Sequence, residues 1–164
     1  MTTGLSGPLY DAFDAGRMDV IFAKRRGGDR RGELAWKEEL VWVAKPGMQL
    51  DPDAPLPLIL YAPPSITRAV AVASLENAKR AWHAVCTCVG LSALRAATAA
   101  GLGVAPHSAV LLPKGVRPLN ADETLPSLDA IEFVVIGPGN HDKVANTLVE
   151  MFVEEARRLA PPGL

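Results

Sequence analysis

The stretch Cys88-Val-Gly-Leu-Ser-Ala-Leu-Arg-Ala-Ala-Thr-Ala-Ala-Gly-Leu-Gly-Val-Ala-Pro106 decides the fold. Leu91, Leu94 and Ala97 recur at helical spacing, and Gly101 stands where a left-handed cap would end the helix. Gly103 then allows a close backbone approach, Val104-Ala105 enter a sheet, and Pro106 is expected to end that strand. A helix passing so tightly into a strand, read here as parallel, belongs to α/β sheets. In such sheets ligands gather at the carboxyl ends of strands. The first expectation is therefore a binding site rather than a catalytic one.

Working outward, the same alternation continues. Pro57-Leu-Ile-Leu-Tyr61 reads as a buried strand, Ser65 as the cap of a helix running to about Asn77, and Trp82–Thr87 as the next strand. Val70, Ala73 and Ala78 are read among the inner positions of that helix, and Thr87 or Cys88 as the cap of the following one. His107–Leu112 reads as a short helical turn and Pro113–Pro126 as a polar loop. Upstream, Ser6 is read as the cap of a short helix with Leu9, Ala12 and Phe13 inward and Gly16 at its end. Met18–Ala23 is a strand-length apolar run, expected to be covered on both faces. Gly32–Val43 reads as one extended segment closed by a Pro46-Gly47 turn. Near the end, Ile131–Ile136 is a strand, and Asn140 caps a helix with Val144, Leu148, Met151, Phe152 and Leu159 on one face; Pro161-Pro162 stop it.

Bulk properties narrow the function classes. The 164 residues are 49% hydrophobic, enough for a real core, and the net charge of −1 comes from 17 basic and 18 acidic side chains. That balance argues against a nucleic-acid surface. The basic cluster Lys24-Arg-Arg-Gly-Gly-Asp-Arg-Arg31 reads as a solvated loop, with ligand or partner contacts as the alternative. No basic n-region or apolar h-region opens the sequence, and no apolar run suits a bilayer, so a cytoplasmic protein without membrane contact is expected. Cys86 and Cys88 fall on one face of a strand with Cα atoms about 6.5–7 Å apart, at or beyond disulfide reach. They read as reduced thiols, with a redox or metal pair as the alternative. The spacing of His, Cys, Asp and Glu matches no metal site, and no nucleophile elbow or phosphate-cradling glycine loop is present. Neither a cofactor nor a metal nor an enzymatic activity is expected.

Several passages in order resemble the effector-binding domain of LysR-type transcriptional regulators. They are Leu9-Tyr-Asp-Ala-Phe-Asp-Ala-Gly-Arg-Met-Asp-Val-Ile-Phe22, Glu39-Leu-Val-Trp-Val-Ala-Lys-Pro-Gly47, Pro57–Tyr61 and Ala93–Pro106. The resemblance implies an α/β, two-lobed, periplasmic-binding-protein-like domain with mostly parallel sheets. It divides the chain into 1–46 (part of a first lobe), 47–127 (second lobe) and 128–164 (return to the first). The family's winged helix-turn-helix and the start of the first lobe have no counterpart in the sequence, so it reads as a fragment of a longer regulator, or else a trimmed relative. DNA would then be contacted only through the absent N-terminal domain. Met18–Ala23 and Ile131–Ile136 would each lack a strand neighbour, which points to a dimer or higher homo-oligomer.

On this architecture the loops at the strand ends would hold a small effector, perhaps a carboxylate, between the lobes. The expected contacts are Ala62, Ser65, Ile66, Thr67, Thr87, Cys88, Ala105, Pro106 and His107 from the second lobe, with Ala23 and Lys24 from the first. Two of these loops run into helix N-termini, which favour anions. Ser65, Thr67, Thr87 and Ser108 supply hydroxyls, which equally suit helix capping alone. The leading expectation is a sensor module of a transcription regulator. The alternatives are a free-standing two-lobed small-molecule-binding protein and, behind it, an enzyme.

Overall fold

A computed structural model describes residues 2–119, 125–139 and 142–159. In chain order the elements are α1 (Ser6–Asp14), β1 (Ile21–Lys24), β2 (Glu33–Glu38), β3 (Leu40–Ala44), β4 (Leu56–Tyr61), α2 (Ile66–Asn77), β5 (Trp82–Cys88), α3 (Leu91–Ala100), β6 (Ala105–Ser108), β7 (Arg117–Pro118), β8 (Ile131–Ile136) and α4 (Lys143–Leu159). They form two compact units: Met1–Glu38 with Ala130–Leu164, and Glu39–Asp129. The second unit begins at Glu39 rather than at residue 47, because Leu40–Ala44 pair with its strands β6 and β7. The single extended segment expected over Gly32–Val43 is accordingly two strands in different sheets.

In the second unit, β4 and β5 run parallel in the register Leu56↔Trp82 to Tyr61↔Cys88. Val104 makes a parallel bridge to Leu58 on the other side of β4, through Ile59 N–H to Val104 O and Val104 N–H to Pro57 O, both 2.8 Å. The chain then continues antiparallel to β3, pairing Ala105 with Val43, Pro106 with Trp42 and His107 with Val41. Pro106 therefore lies inside β6 rather than ending it. A proline stops a strand only where the ladder needs its N–H.

Helices cover both faces of β4. Leu56, Leu58 and Leu60 pack with Ala71 and Leu75 of α2. Ile59 and Cys88 pack with Leu94 and Ala97 of α3. Burial on both sides explains the unbroken apolar run of β4. The inner face of α2 is Thr67, Ala71 and Leu75, whereas Ala73 and Ala78 are exposed. The joint after α3 is formed as expected: Gly101 has φ +83°, and a Cβ on Gly103 would lie 2.4 Å from the Pro57 carbonyl oxygen. Residues 109–112 are not helical; Ser108 Oγ instead accepts from the N–H groups of Val110 (3.3 Å) and Leu111 (3.2 Å). The expected polar loop also contributes a strand, β7, against β3.

The first unit has a three-stranded sheet in the order β1-β8-β2, antiparallel throughout. The α/β class thus holds, but among the described residues parallel pairing is confined to β4, β5 and the Val104 bridge. The expectation of mostly parallel sheets overestimated it. Ile131–Ile136 is the central strand with neighbours on both sides, not an unpaired edge. β1 is an edge, but it spans only four residues and starts at Ile21. Its inward residues Ile21 and Ala23 pack on Tyr10 of α1 with Val134 and Ile136. On the opposite face Phe22 is 38% exposed, with ring centroids 5.3 Å from Trp36 and 5.6 Å from Phe133. Both faces of this strand are therefore not covered; an antiparallel sheet tolerates one open face.

Ser6 is inside α1 and does not cap it. Its Oγ accepts from the Lys24 N–H at 3.0 Å, tying the helix start to the end of β1. In α4 the buried residues are Ala145, Val149, Val153 and Ala156, while Val144, Leu148, Met151 and Phe152 are exposed. The expected inward face is thus the outward one. The expectations for Asn140, Pro161 and Pro162 fall outside the described residues. Among the described residues, no helix is long and apolar enough to cross a membrane.

Candidate functional site

Two helix starts meet two parallel strand ends in the second unit. Tyr61 and Cys88 are paired as the last residues of β4 and β5, and the Ala62 N–H donates to the Cys88 carbonyl at 2.8 Å. From these adjoining ends the chain turns into α2 and α3. Ser65 caps α2 as expected, its Oγ accepting from the Arg68 N–H at 3.3 Å. The Arg68 guanidinium folds back and donates to the Tyr61 carbonyl at 3.1 Å. The N-cap of α3 is Gly90, not Thr87 or Cys88, and no side chain caps it. Its first-turn amides carry the positive end of the helix dipole at the level of the strand ends.

The expected contacts divide into several groups. Ala62, Ser65 and Ile66 lie at this end, partly exposed. Thr87 is exposed on β5, on the side opposite Cys86 and Cys88. Cys88 itself is 2% exposed and packs under α3. Thr67 is on the buried face of α2, in line with Ala71 and Leu75. Ala105, Pro106 and His107 are buried along β6, held by pairing with β3. His107 was expected at a strand end; it sits inside the strand, with Nδ1 3.2 Å from the Ser108 carbonyl. The Ser108 hydroxyl is taken up by the turn after β6. Ala23 and Lys24 belong to the other unit. Ala23 is buried in its core, and burial lowers the Lys24 ammonium pKa, opposed by the negative charge of Glu38.

Tyr61 was not among the expected contacts. It is half-buried at the end of β4, where burial raises its phenol pKa and the Arg95 charge acts against that rise. An aromatic hydroxyl closing a buried strand was the signal available in the sequence.

Three arginines of the basic cluster are engaged by acidic side chains of their own unit. Arg25 meets Glu132 at 2.6 Å, Arg26 meets Asp14 at 2.9 Å, and Arg31 meets Asp14 and Asp29 at 2.7 and 2.8 Å. Arg26 also lies 4.4 Å over the Tyr10 ring. The first unit has an open groove of about 440 Å³ lined by Glu33, Glu150, Val153, Glu154, Arg157 and Arg158. Its cations are engaged: Arg158 pairs with Glu154 and Glu155, and Arg157 donates to the Leu34 carbonyl. Among the described residues, no three His, Cys, Asp or Glu side chains converge as a metal site.

The LysR substrate binding domain description matches residues 1–157. The chain belongs to that family. It is 26% identical over 153 residues to the HTH-type transcriptional regulator PecT of Dickeya dadantii, covering 93% of the chain and 48% of PecT. This LysR substrate-binding domain therefore spans about half the length of that relative. Among solved structures it is similar to the apo regulatory domain of HypT from Salmonella typhimurium. The TM-score is 0.74 at 14% identity, over 94% of the chain and 80% of HypT's. It is also similar to the effector binding domain of QuiR in complex with shikimate, with a TM-score of 0.71 at 13% identity, over 96% and 80% of the two chains. At such identities the likeness shows the fold. The fold class inferred from the sequence is the one these domains share.

Proposed function

We propose that this domain is the ligand-sensing part of a LysR-type transcription regulator, with no enzymatic role. Its effector is a small carboxylate held where α2 and α3 begin. The observation that carries the reading is the pair of helix N-termini at the adjoining ends of β4 and β5, in a chain matched by the family over residues 1–157. Two helix dipoles and the uncapped amides of α3 favour an anion, and the exposed Thr87 adds a hydroxyl near the end of β5. Shikimate, the ligand in the QuiR structure, is itself a carboxylate. In this reading DNA is contacted by a part of the regulator outside this domain. The regulator works in the cytoplasm as a homo-oligomer, and the effector acts by binding one of its conformations better than another.

Thermal denaturation of the 164-residue chain tests the ligand class, using a panel of small mono- and dicarboxylates that includes shikimate, each paired with its methyl ester. The expected result is a midpoint that rises with carboxylate concentration and not with ester. Stabilisation by none of the panel, or equally by the esters, refutes an anion site.

A further inference from the structure

Cys88, expected among the effector contacts, is instead buried under α3, and it forms a close pair with Cys86. Alternation along β5 puts both side chains on the face that packs against α3, opposite Thr87. Their sulfurs are 3.7 Å apart. Both thiols are free; Cys88 is buried and Cys86 partly exposed, giving one route of entry.

We propose that Cys86 and Cys88 form a dithiol clip for a trivalent arsenical bearing one organic substituent.

Three coordination geometries can be compared with the observed separation. A linear two-coordinate thiophilic ion with bonds of about 2.3 Å needs sulfurs about 4.6 Å apart, clearly wider than this pair. A tetrahedral zinc ion spans about 3.8 Å between two thiolates, which fits, but it needs four ligands. Among the described residues, no group of three or more suitable side chains is present to supply them. A pyramidal centre with angles between a right angle and tetrahedral spans about 3.3–3.8 Å at the same bond length. It brings its third substituent with it and asks the protein for two sulfurs only.

Charge favours the same choice. Burial, and then the adjacent Cys86, push the Cys88 thiol up to about 11, so its thiolate is disfavoured. A metal cation must displace both protons and bind thiolates. An arsine oxide condenses with neutral thiols instead: the As–O bond is replaced by two As–S bonds. Both thiol protons leave with the oxygen as one water molecule. Arsenic stays trivalent, sulfur is not oxidised, and the adduct places no charge beneath α3.

The test uses the reduced 164-residue chain and phenylarsine oxide, read by native mass spectrometry and by counting titratable thiols. One equivalent is expected to bind, removing both thiols together, resisting excess glutathione and being released by a small dithiol. Cys86→Ser and Cys88→Ala are each expected to weaken binding at least about 100-fold, because the second bond is no longer intramolecular. Cys86→Ser, at the partly exposed position, keeps the test valid if the buried variant fails to fold. The proposal is overturned if either folded single variant binds as tightly as the parent. It is also overturned if the parent takes up no arsenical while both thiols react with a small alkylating agent, or if equimolar zinc displaces the arsenical from the same sulfurs. Because the clip and Thr87 face opposite sides of β5, a failed carboxylate response leaves this result independent.

Discussion

Replacing Gly103 with alanine should be among the most damaging single-methyl additions in the second unit. Its new Cβ would sit 2.4 Å from the Pro57 carbonyl oxygen, 3.0 Å from the Pro57 carbonyl carbon and 3.1 Å from Val85 Cγ2. The first two are backbone atoms of β4 and cannot rotate away. Relief requires moving Val104 off β4, which breaks both 2.8 Å hydrogen bonds of the bridge, Ile59 N–H to Val104 O and Val104 N–H to Pro57 O. At about 1 kcal/mol each those bonds contribute about 2 kcal/mol. Overpacking adds about 1–3 kcal/mol, for a loss of about 3–5 kcal/mol. Against a typical domain stability of about 5–15 kcal/mol that is a large fraction.

Gly101→Ala is the internal control. It too would place a Cβ close to a neighbour, 2.9 Å from Lys45 Cδ, but that atom belongs to a flexible side chain. What remains is the left-handed backbone at φ +83°, which costs about 1–2 kcal/mol with a side chain. Urea unfolding followed by circular dichroism and by tryptophan fluorescence, with Trp42 and Trp82 in the second unit, measures both. The reasoning is refuted if Gly103→Ala costs less than about 1 kcal/mol, or if it costs less than Gly101→Ala.

Other expectations are less severe. Ser65→Ala removes the cap of α2 and should cost about 1 kcal/mol in the same urea assay. The Arg31 guanidinium hydrogen-bonded to Asp29 holds that carboxyl at about 2, against an ordinary value of 3.8. Its folded pKa is depressed, so its contribution to stability is present above the ordinary value and lost as pH falls toward about 2. Thermal midpoints measured across that window should fall more steeply in the parent than in Asp29→Asn; parallel curves would contradict this. Thr87→Val should leave the unfolding curve nearly unchanged, because the side chain is exposed, while abolishing the midpoint shift produced by a stabilising carboxylate. An undiminished shift would move the site away from β5.

Local backbone chemistry was legible in the sequence at several points, although the caps read at Ser6 and at Thr87 or Cys88 are not formed. The Ser65 cap, the Pro46-Gly47 turn, the left-handed Gly101 and the close-packed Gly103 are each set by a few neighbouring residues, and all are present. Pairing was less legible, because it depends on residues far apart in the chain. Nothing within Ile131–Ile136 says that β1 and β2 flank it, nor within Ala105–Ser108 that it runs antiparallel to β3. Site residues suffered from the same gap. Thr87 and Ser65 emerge at the strand ends, whereas His107 and Pro106 are drawn into β6 by the long-range partner β3.

The helix α4 shows why periodicity alone could not choose its buried side. It carries two apolar stripes, each at helical spacing: Val144, Leu148, Met151 and Phe152 on one, Ala145, Val149, Val153 and Ala156 on the other. A hydropathy reading prefers the first, because its side chains are larger. The structure buries the second. The physical difference is the distance the sheet allows. A Cβ on Gly137, just past β8, would meet Val149 Cγ2 at 2.6 Å, so the helix lies too close at that point for the bulkier stripe. Alanine and valine suit such an approach, and leucine or phenylalanine in their place would overpack it. Where two stripes compete, side-chain volume set against the room beneath the helix decides the face. That room is a tertiary property, announced in the sequence only by the small residues themselves.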